Sequence, residues 1–340
     1  MNKNLKNGLL LVVITMLALT GCKKGEAPIG GGANHGGQSE KKDVPQPPKE
    51  LDHLIFEEIF YVGTYQEKYK VGRMTEADHY IKINNPTKET IYLDGLALVE
   101  GAFNPTNPLN IPKEEDHIKT HIATSKLIKF PGSGKEYPLE PGKSVVLANA
   151  AINTIEANEG EGSLDLTNAD FEIYTPKQIE DDLWLEENPK VPNMEMIYYD
   201  VQGFDLYEPL GFSMAKGHGV IALVKLGVTI EELKNESYIW DYRFSTSSQG
   251  GHSHSTQQQC LKIPNEWVID AVVLCPNGAN KWAVVDPKID AGSNGVMYAN
   301  DVEESYSQKA LIRKHNGKSY EDTDNSTVDF EIKQASLLKK

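Results

Sequence analysis

His79-Tyr80-Ile81-Lys82-Ile83, closed by Asn84-Asn85-Pro86-Thr87, is the stretch that decides the fold class. Side chains along a strand point alternately to opposite faces, so this alternation marks a half-buried strand. Asn-Asn-Pro then reads as a turn, because Asn tolerates turn conformations and Pro removes a backbone donor. The same grammar recurs on both sides. Upstream, Leu54-Ile55-Phe56 and Ile59-Phe60-Tyr61-Val62 are strand-like. Downstream, Thr90-Ile91-Tyr92-Leu93 resumes, Asp94-Gly95 breaks the run, and Leu96-Ala97-Leu98-Val99 follows. Leu139-Glu140-Pro141-Gly142-Lys143 reads as a turn before Ser144-Val145-Val146-Leu147. Residues 267–274 read as a buried strand, and Phe330 and Ile332 alternate as a last one. Short β-rich runs punctuated by Gly, Pro and Asn predict an all-β antiparallel β-sandwich with a few short helices. Residues 229–236 are the best helix, with Thr229 as N-cap and Glu232 three residues on. Residues 177–187 predict a second.

The chain opens on a different pattern. Lys3 and Lys6 precede an apolar run over residues 8–19, too short for a comfortable membrane span. It ends in Leu19-Thr20-Gly21-Cys22, which looks like a bacterial lipoprotein cleavage box. Residues 1–21 are therefore expected to be a signal peptide, with Cys22 the lipidation site that takes diacylglycerol and palmitate. The anchored mature chain is expected at the cell outer membrane, because Lys23 follows Cys22 where Asp often retains lipoproteins in the inner membrane. Residues 22–50 contain Gly30-Gly31-Gly32, Gly36-Gly37 and Pro45-Gln46-Pro47-Pro48, the composition of a disordered tether. No later apolar run approaches a span, and residues 51–335 are long enough for a substantial core.

The net charge is −15, and removing residues 1–21 deletes two lysines and no acid, giving −17. Such a surface repels nucleic acid and anionic head groups, so the expected membrane partner is reached through lipid and not through a basic patch. Cys260 and Cys275 leave two alternatives open: one disulfide in an oxidising envelope, or two free thiols packed beside apolar strands.

Tyr80-Ile81-Lys82-Ile83-Asn84-Asn85-Pro86, Ile91-Tyr92-Leu93-Asp94-Gly95-Leu96 and the Leu139-Glu140-Pro141-Gly142-Lys143 turn resemble the lamin-tail-like domain, an immunoglobulin-like sandwich. Arg313-Lys314, Asp322-Thr323-Asp324-Asn325-Ser326 and Asp329-Phe330 resemble that domain's end. Ser163-Leu164-Asp165-Leu166-Thr167-Asn168-Ala169-Asp170-Phe171 and Ile263-Pro264-Asn265-Glu266-Trp267-Val268-Ile269-Asp270 resemble an uncharacterised family of Bacteroidetes-type lipoproteins, a domain of unknown function. The wide spacing of the opening and closing motifs implies large insertions near residues 100–135 and 150–260. The resemblance carries no catalytic residues.

Enzyme signatures are mostly absent. No Gly-x-Ser-x-Gly elbow and no His-Glu-x-x-His occurs, and Pro131-Gly132-Ser133-Gly134-Lys135 lacks the first glycine and the hydroxyl residue of a phosphate loop. Histidine is the unusual usage. His252 and His254 lie in a Ser/Thr/Gln/Gly run over residues 245–259, and His218 lies in another flexible turn. Together they are a candidate zinc or copper shell, set against an exposed polar loop with incidental His. His117 and His121, four apart, would share a face if the segment were helical. Asp322, Asp324, Ser326 and Asp329 are spaced like a calcium loop, but Thr327 replaces the required Gly and Lys333 the Glu, so Asx-stabilised turns are expected. Trp184, Tyr198, Tyr199, Phe204, Tyr207 and Phe212 are either core or a recognition surface.

These readings predict a non-enzymatic ligand-binding lipoprotein of the cell envelope, membrane-anchored at Cys22. It would serve as an accessory to an outer-membrane receptor for uptake, or in surface recognition. That role follows from location and resemblance and not from individual residues. Zinc or copper capture is one alternative, and an envelope hydrolase with a site assembled from distant residues is another.

Overall fold

The computed structural model describes residues 50–63, 78–107, 116–153, 164–173, 178–180, 183–184, 188–200, 203–204, 206, 212, 214–247, 253–276, 279–296 and 308–338. The expected signal peptide, Cys22 and the tether up to residue 49 lie outside the described residues.

The strands, in chain order, begin with β1 (Ile55–Phe60), β2 (Tyr80–Asn84), β3 (Ile91–Tyr92), β4 (Leu96–Gly101), β5 (His121–Lys129), β6 (Pro138–Leu139), β7 (Ser144–Ala148) and β8 (Phe171–Glu172). They continue with β9 (Gln178–Glu180), β10 (Leu183–Trp184), β11 (Glu195–Tyr199), β12 (Gly219–Lys225), β13 (Ile239–Ser247), β14 (Ser253–Pro264), β15 (Val268–Leu274), β16 (Lys309–Arg313) and β17 (Phe330–Gln334). One sheet has the order β17-β16-β1-β2-β7-β8, and the other β13-β14-β5-β4-β12-β15. β14 flanks β5 over residues 121–124, and β11 takes its place over residues 126–129. Every pairing in the two sheets is antiparallel except β7 with β8. The all-β sandwich expected from the alternating runs is what forms.

Alternation places the core. On β12 and β15, Ile221, Leu223, Val272 and Leu274 point between the sheets, where they meet Ile59, Ile81, Ile83 and Leu311. Each such side chain contributes about 1.5–3 kcal/mol by leaving water. Val220, Ala222, Val224, Ala271 and Val273 point the other way, into a second core on the outer face of that sheet. Both faces are therefore covered, which is why residues 267–274 are apolar on both faces apart from Asp270.

The deciding stretch forms β2 and its turn. Ile81 and Ile83 join the inter-sheet core, while Tyr80 packs on the outer side against Phe60. The Asn85 carboxamide oxygen accepts from the Thr87 amide and hydroxyl at 3.1 and 2.7 Å, closing an Asx turn. β1 lies between β16 and β2, so the first strand of the domain pairs with the penultimate one, and β17 closes the edge beyond it.

Two expectations change. The segments expected as insertions supply body strands: β5 and β12 are interior to the second sheet. Gly219-Val220-Ile221-Ala222-Leu223-Val224 is apolar on both faces, and so lacks the alternation that flags a strand. The helix expected over residues 177–187 is instead the antiparallel pair β9 and β10. Asp181-Asp182 between them are poor helix-interior residues and good turn formers. The other helix forms as α1 (Ile230–Leu233), capped by the reciprocal Thr229 and Glu232 hydrogen bonds. Among the described residues no helix is long and apolar enough to cross a membrane.

Candidate functional site

A single 3-10 turn, His117–Lys119, runs into Thr120 and then into β5, which begins at His121. His117 and His121 therefore do not share a helix face; a bend brings them together. The Thr120 amide donates to the His117 carbonyl at 2.9 Å. Asn265, just past β14, holds the bend from outside. Its amide donates to the Thr120 carbonyl at 3.0 Å and its side-chain amide to the Ile118 carbonyl at 2.8 Å. The two imidazoles stand 5.8 Å apart by ring centroids, each 7% exposed.

Indoles surround them. Trp240 on β13 lies 5.0 Å from the His117 ring and 5.7 Å from the His121 ring. Phe103 touches His117, Trp240, Tyr242 and Trp282 at centroid distances of 5.1–5.8 Å. Tyr238 and Trp267 stack nearby at 5.6 Å. Three of the chain's 4 tryptophans gather here, all half-buried against the second core. Beside them opens a cavity of about 730 Å³ whose wall includes His121, Tyr238 and Lys262, with Asp116, Lys119 and Glu266 also on it. Asp116 and Lys119 form an ion pair with each other.

The Thr120 hydroxyl lies 3.1 Å from the His117 carbonyl oxygen and 2.9 Å from His121 Nδ1, so it bridges the two residues. His121 Nε2 is buried and has no hydrogen-bond partner. Burial, with the His117 ring and the Lys262 charge adding to it, pushes the His121 pKa down to about 4. The ring is neutral at pH 7.

The expected histidine set is not drawn together. His252 lies outside the described residues. His254 lies on β14 opposite Thr246, and His218 immediately precedes β12. β5 and β4 stand between those two strands, a separation of roughly 14 Å, whereas zinc ligands lie about 2 Å from their ion. Burial lowers the His218 pKa. Among the described residues no group of three or more His, Cys, Asp or Glu is placed to hold a metal ion. Cys260 and Cys275 are free buried thiols in the second core, not a disulfide.

The remaining singled-out residues are structural. Tyr198 and Phe212 are fully buried, and Phe204 packs edge-on against Tyr198 at 5.1 Å. Tyr199 lies under the Lys126 ammonium, 5.6 Å away. Tyr207 and the Trp184 side chain lie outside the described residues. Asp329 accepts from the Thr323 and Asn325 amides at 2.9 and 3.1 Å, so the acidic run near the C-terminus is a set of capped turns. Asp322 and Asp270 serve Arg313, whose buried guanidinium donates to them at 3.0 and 2.6 Å. His53 Nε2 meets Asp322 at 3.1 Å, and that hydrogen bond raises the His53 pKa to about 9 against the opposing cost of burial.

Sequence reading passed over the cleft because its parts come from residues near 103, 117–121, 238–242, 262–267 and 282. One signal was present: Trp240, Tyr242 and Phe244 alternate with Asp241 and Arg243, the period of a strand with an aromatic face.

Comparison with known proteins adds a family and a fold. The profile of DUF4876, described as a protein of unknown function, matches residues 140–337, more than half of the chain. The chain is similar to the crystal structure of a DUF4876 family protein from Bacteroides thetaiotaomicron, with a TM-score of 0.63 and 22% identity, covering 83% of this chain and 71% of that one. At that identity the likeness shows the fold. No curated protein matches the chain.

Proposed function

Because the chain belongs to the DUF4876 family, described only by unknown function, we propose its role from its own residues: a non-enzymatic binding lipoprotein of the cell envelope. The observation that carries the binding role is the cavity whose wall includes His121 and Tyr238, with Trp240 packed against the two imidazoles. A partly exposed tyrosine offers contact area at little entropic cost, and polar groups placed on the wall of a concave pocket fix a ligand's orientation. The cleavage box ending in Cys22 supports lipid anchoring at the outer membrane, and anchoring supports service to an outer-membrane uptake receptor. The β2 turn and the closing Arg313 to Phe330 segment support a lamin-tail-like, immunoglobulin-like sandwich.

The experiment is to incubate the purified chain with a small-molecule extract of envelope material and identify co-eluting compounds by mass spectrometry. A compound retained by the wild type and lost by Tyr238→Ala is the expected result. Identical retention by both proteins would remove the cleft as the binding site.

The second reading is zinc or copper capture. The unpartnered Nε2 of His121 beside a second imidazole favours it at the cleft over the His252, His254 and His218 set. Calorimetry showing micromolar zinc or copper uptake that His121→Ala abolishes would support it, and no uptake would end it.

A further inference from the structure

We propose that β13 pairs antiparallel with the β13 of a second copy of this chain, in the register that sets Asp241 opposite Arg243. A sheet edge presents a row of N–H and C=O groups that either find a cap or recruit another strand. The two main sheets end at β17, β8, β15 and β13. Three of these ends are closed. At β8, only two residues long, the Glu172 amide donates to the Pro192 carbonyl at 2.9 Å, and the Glu172 carbonyl accepts from the Met194 amide at 2.8 Å. At β15 the Val273 amide donates to the Asp290 carboxylate at 2.7 Å, and the Val273 carbonyl accepts from the Asn294 amide at 3.1 Å. At β17, five residues long, the Phe330 amide donates to the Ser326 carbonyl, and the Phe330 carbonyl accepts from the Asn294 side chain at 3.1 Å.

β13 is the long exception. It runs nine residues, and its register against β14 has no bulge. The Asn265 amide donates to the Thr120 carbonyl, in register with the facing pair Leu261 and Thr124. Bonds alternate sides along an antiparallel strand, so odd-numbered residues of β14 bond to β5 and even-numbered ones to β13. Cys260 and Gln258 therefore bond to Trp240 and Tyr242, and the amides and carbonyls of Asp241 and Arg243 point away from the sheet. The Ile239 amide agrees, since it donates back to the Glu236 carbonyl. Among the described residues the Asp241 and Arg243 backbones have no partner on that side.

The side chains select the occupant. Asp241 and Arg243 are both exposed. Asp241 accepts from the Gln259 side chain at 3.1 Å and Arg243 donates to that of Gln257 at 3.3 Å, so the neighbours on β14 are neutral. A two-fold axis at Tyr242 sets each Asp241 opposite the second copy's Arg243. Opposite charges on facing strand residues are favourable, and like charges are not. Moving the axis to Asp241 or to Arg243 sets like charges opposite each other, so charge picks one register. In that register the outward amides and carbonyls of Asp241 and Arg243 exchange hydrogen bonds with their facing residues. A second copy therefore satisfies the backbone and the charges at once, and a two-fold contact closes on itself.

The test is sedimentation of the full-length chain in density-matched detergent, which reads the mass of the protein assembly. The wild type should dimerise with a Kd below about 100 µM. Asp241→Arg, which sets like charges opposite each other, should weaken the dimer about tenfold or more, and adding Arg243→Asp should restore it to within about threefold. A cross-link supplies the second measurement, and it decides the matter should Asp241→Arg fail to fold. Two differently tagged full-length chains, one Asp241→Cys and the other Arg243→Cys, are co-expressed and mildly oxidised. The two tags should be joined, because facing Cα atoms about 5.5 Å apart are within disulfide reach. Either variant expressed alone should stay unlinked, because its new cysteines do not face each other. A wild type that stays monomeric at that concentration, a dimer that Asp241→Arg leaves unchanged, or a single variant that the double swap does not rescue overturns the inference. So does the absence of a cross-link between the two tags. A cross-link from Asp241→Cys to a different protein, with none between the tags, gives this edge to another partner and overturns self-pairing.

Discussion

Replacing Arg313 by Met tests the polar knot that ties the two sheets together. Arg313 is on β16 in the first sheet, and Asp270 is on β15 in the second. The guanidinium is 1% exposed and donates to Asp270 at 2.6 Å, to Asp322 at 3.0 Å and to the Phe56 carbonyl at 2.8 Å. Met fills much of the space and removes the charge. Asp270 then remains as a buried carboxylate with the Phe56 amide, at 2.6 Å, as its described donor. Breaking a buried pair by removing one partner costs about 3–5 kcal/mol, because the survivor has lost both water and counter-ion. With a urea m-value near 3 kcal/mol/M, a loss of about 4 kcal/mol lowers the midpoint by roughly 1.3 M. The sign of the pH dependence is also set. Burial already raises the Asp270 pKa despite Arg313, and removing Arg313 raises it further. A carboxyl with a raised folded-state pKa regains stability as pH falls through that value, so the variant should be less impaired at pH 5 than at pH 7. Arg313→Met with Asp270→Asn keeps an acceptor for the Phe56 amide without a charge, and should recover a large part of the loss. Urea unfolding followed by tryptophan fluorescence at both pH values reads all of this. A single-variant loss below about 1 kcal/mol at pH 7, or no recovery in the double variant, would refute the buried-pair reasoning.

His53 should titrate near pH 9 by NMR, and the stability from its hydrogen bond to Asp322 should be complete below about pH 6.5 and be lost as pH rises through 9; His53→Ala should flatten that slope. Gly217→Ala should destabilise strongly in thermal unfolding, because φ is +74° and the new Cβ would lie 2.4 Å from the Tyr61 ring; an unchanged melting temperature would contradict the packing described. Cys22→Ser should abolish incorporation of labelled palmitate and release the protein from the membrane fraction, and normal labelling would refute the anchor.

The alternation of Tyr80 to Ile83, its Asn-Pro stop and the Thr229 to Glu232 capping box are local, and local physics made them legible: residue type sets turn and cap chemistry wherever the chain goes. Periodicity failed where burial was two-sided. β12 has no polar face, so nothing in its pattern showed that it sits inside a sheet. The charge balance and the run into Cys22 likewise needed only composition and order.

The cleft was not legible, because its chemistry is relational. His117 and His121 sit four apart on a segment that reads equally as helix or strand; the Asn265 clamp from a strand far along the chain decides the bend. The Thr120 hydroxyl reaches both the His117 carbonyl and His121 Nδ1 only because of that bend. The indoles at residues 240, 267 and 282 gather against one core only because segments far apart in the chain converge on the outer face of the second sheet. The same holds for Arg313, read in sequence only as part of a closing motif and found to be the charge that Asp270 needs. Sequence by itself determined strands and turns, since each depends on neighbours along the chain. Tertiary structure alone decided the site, since hydrogen bonds, burial and ring contacts depend on neighbours in space.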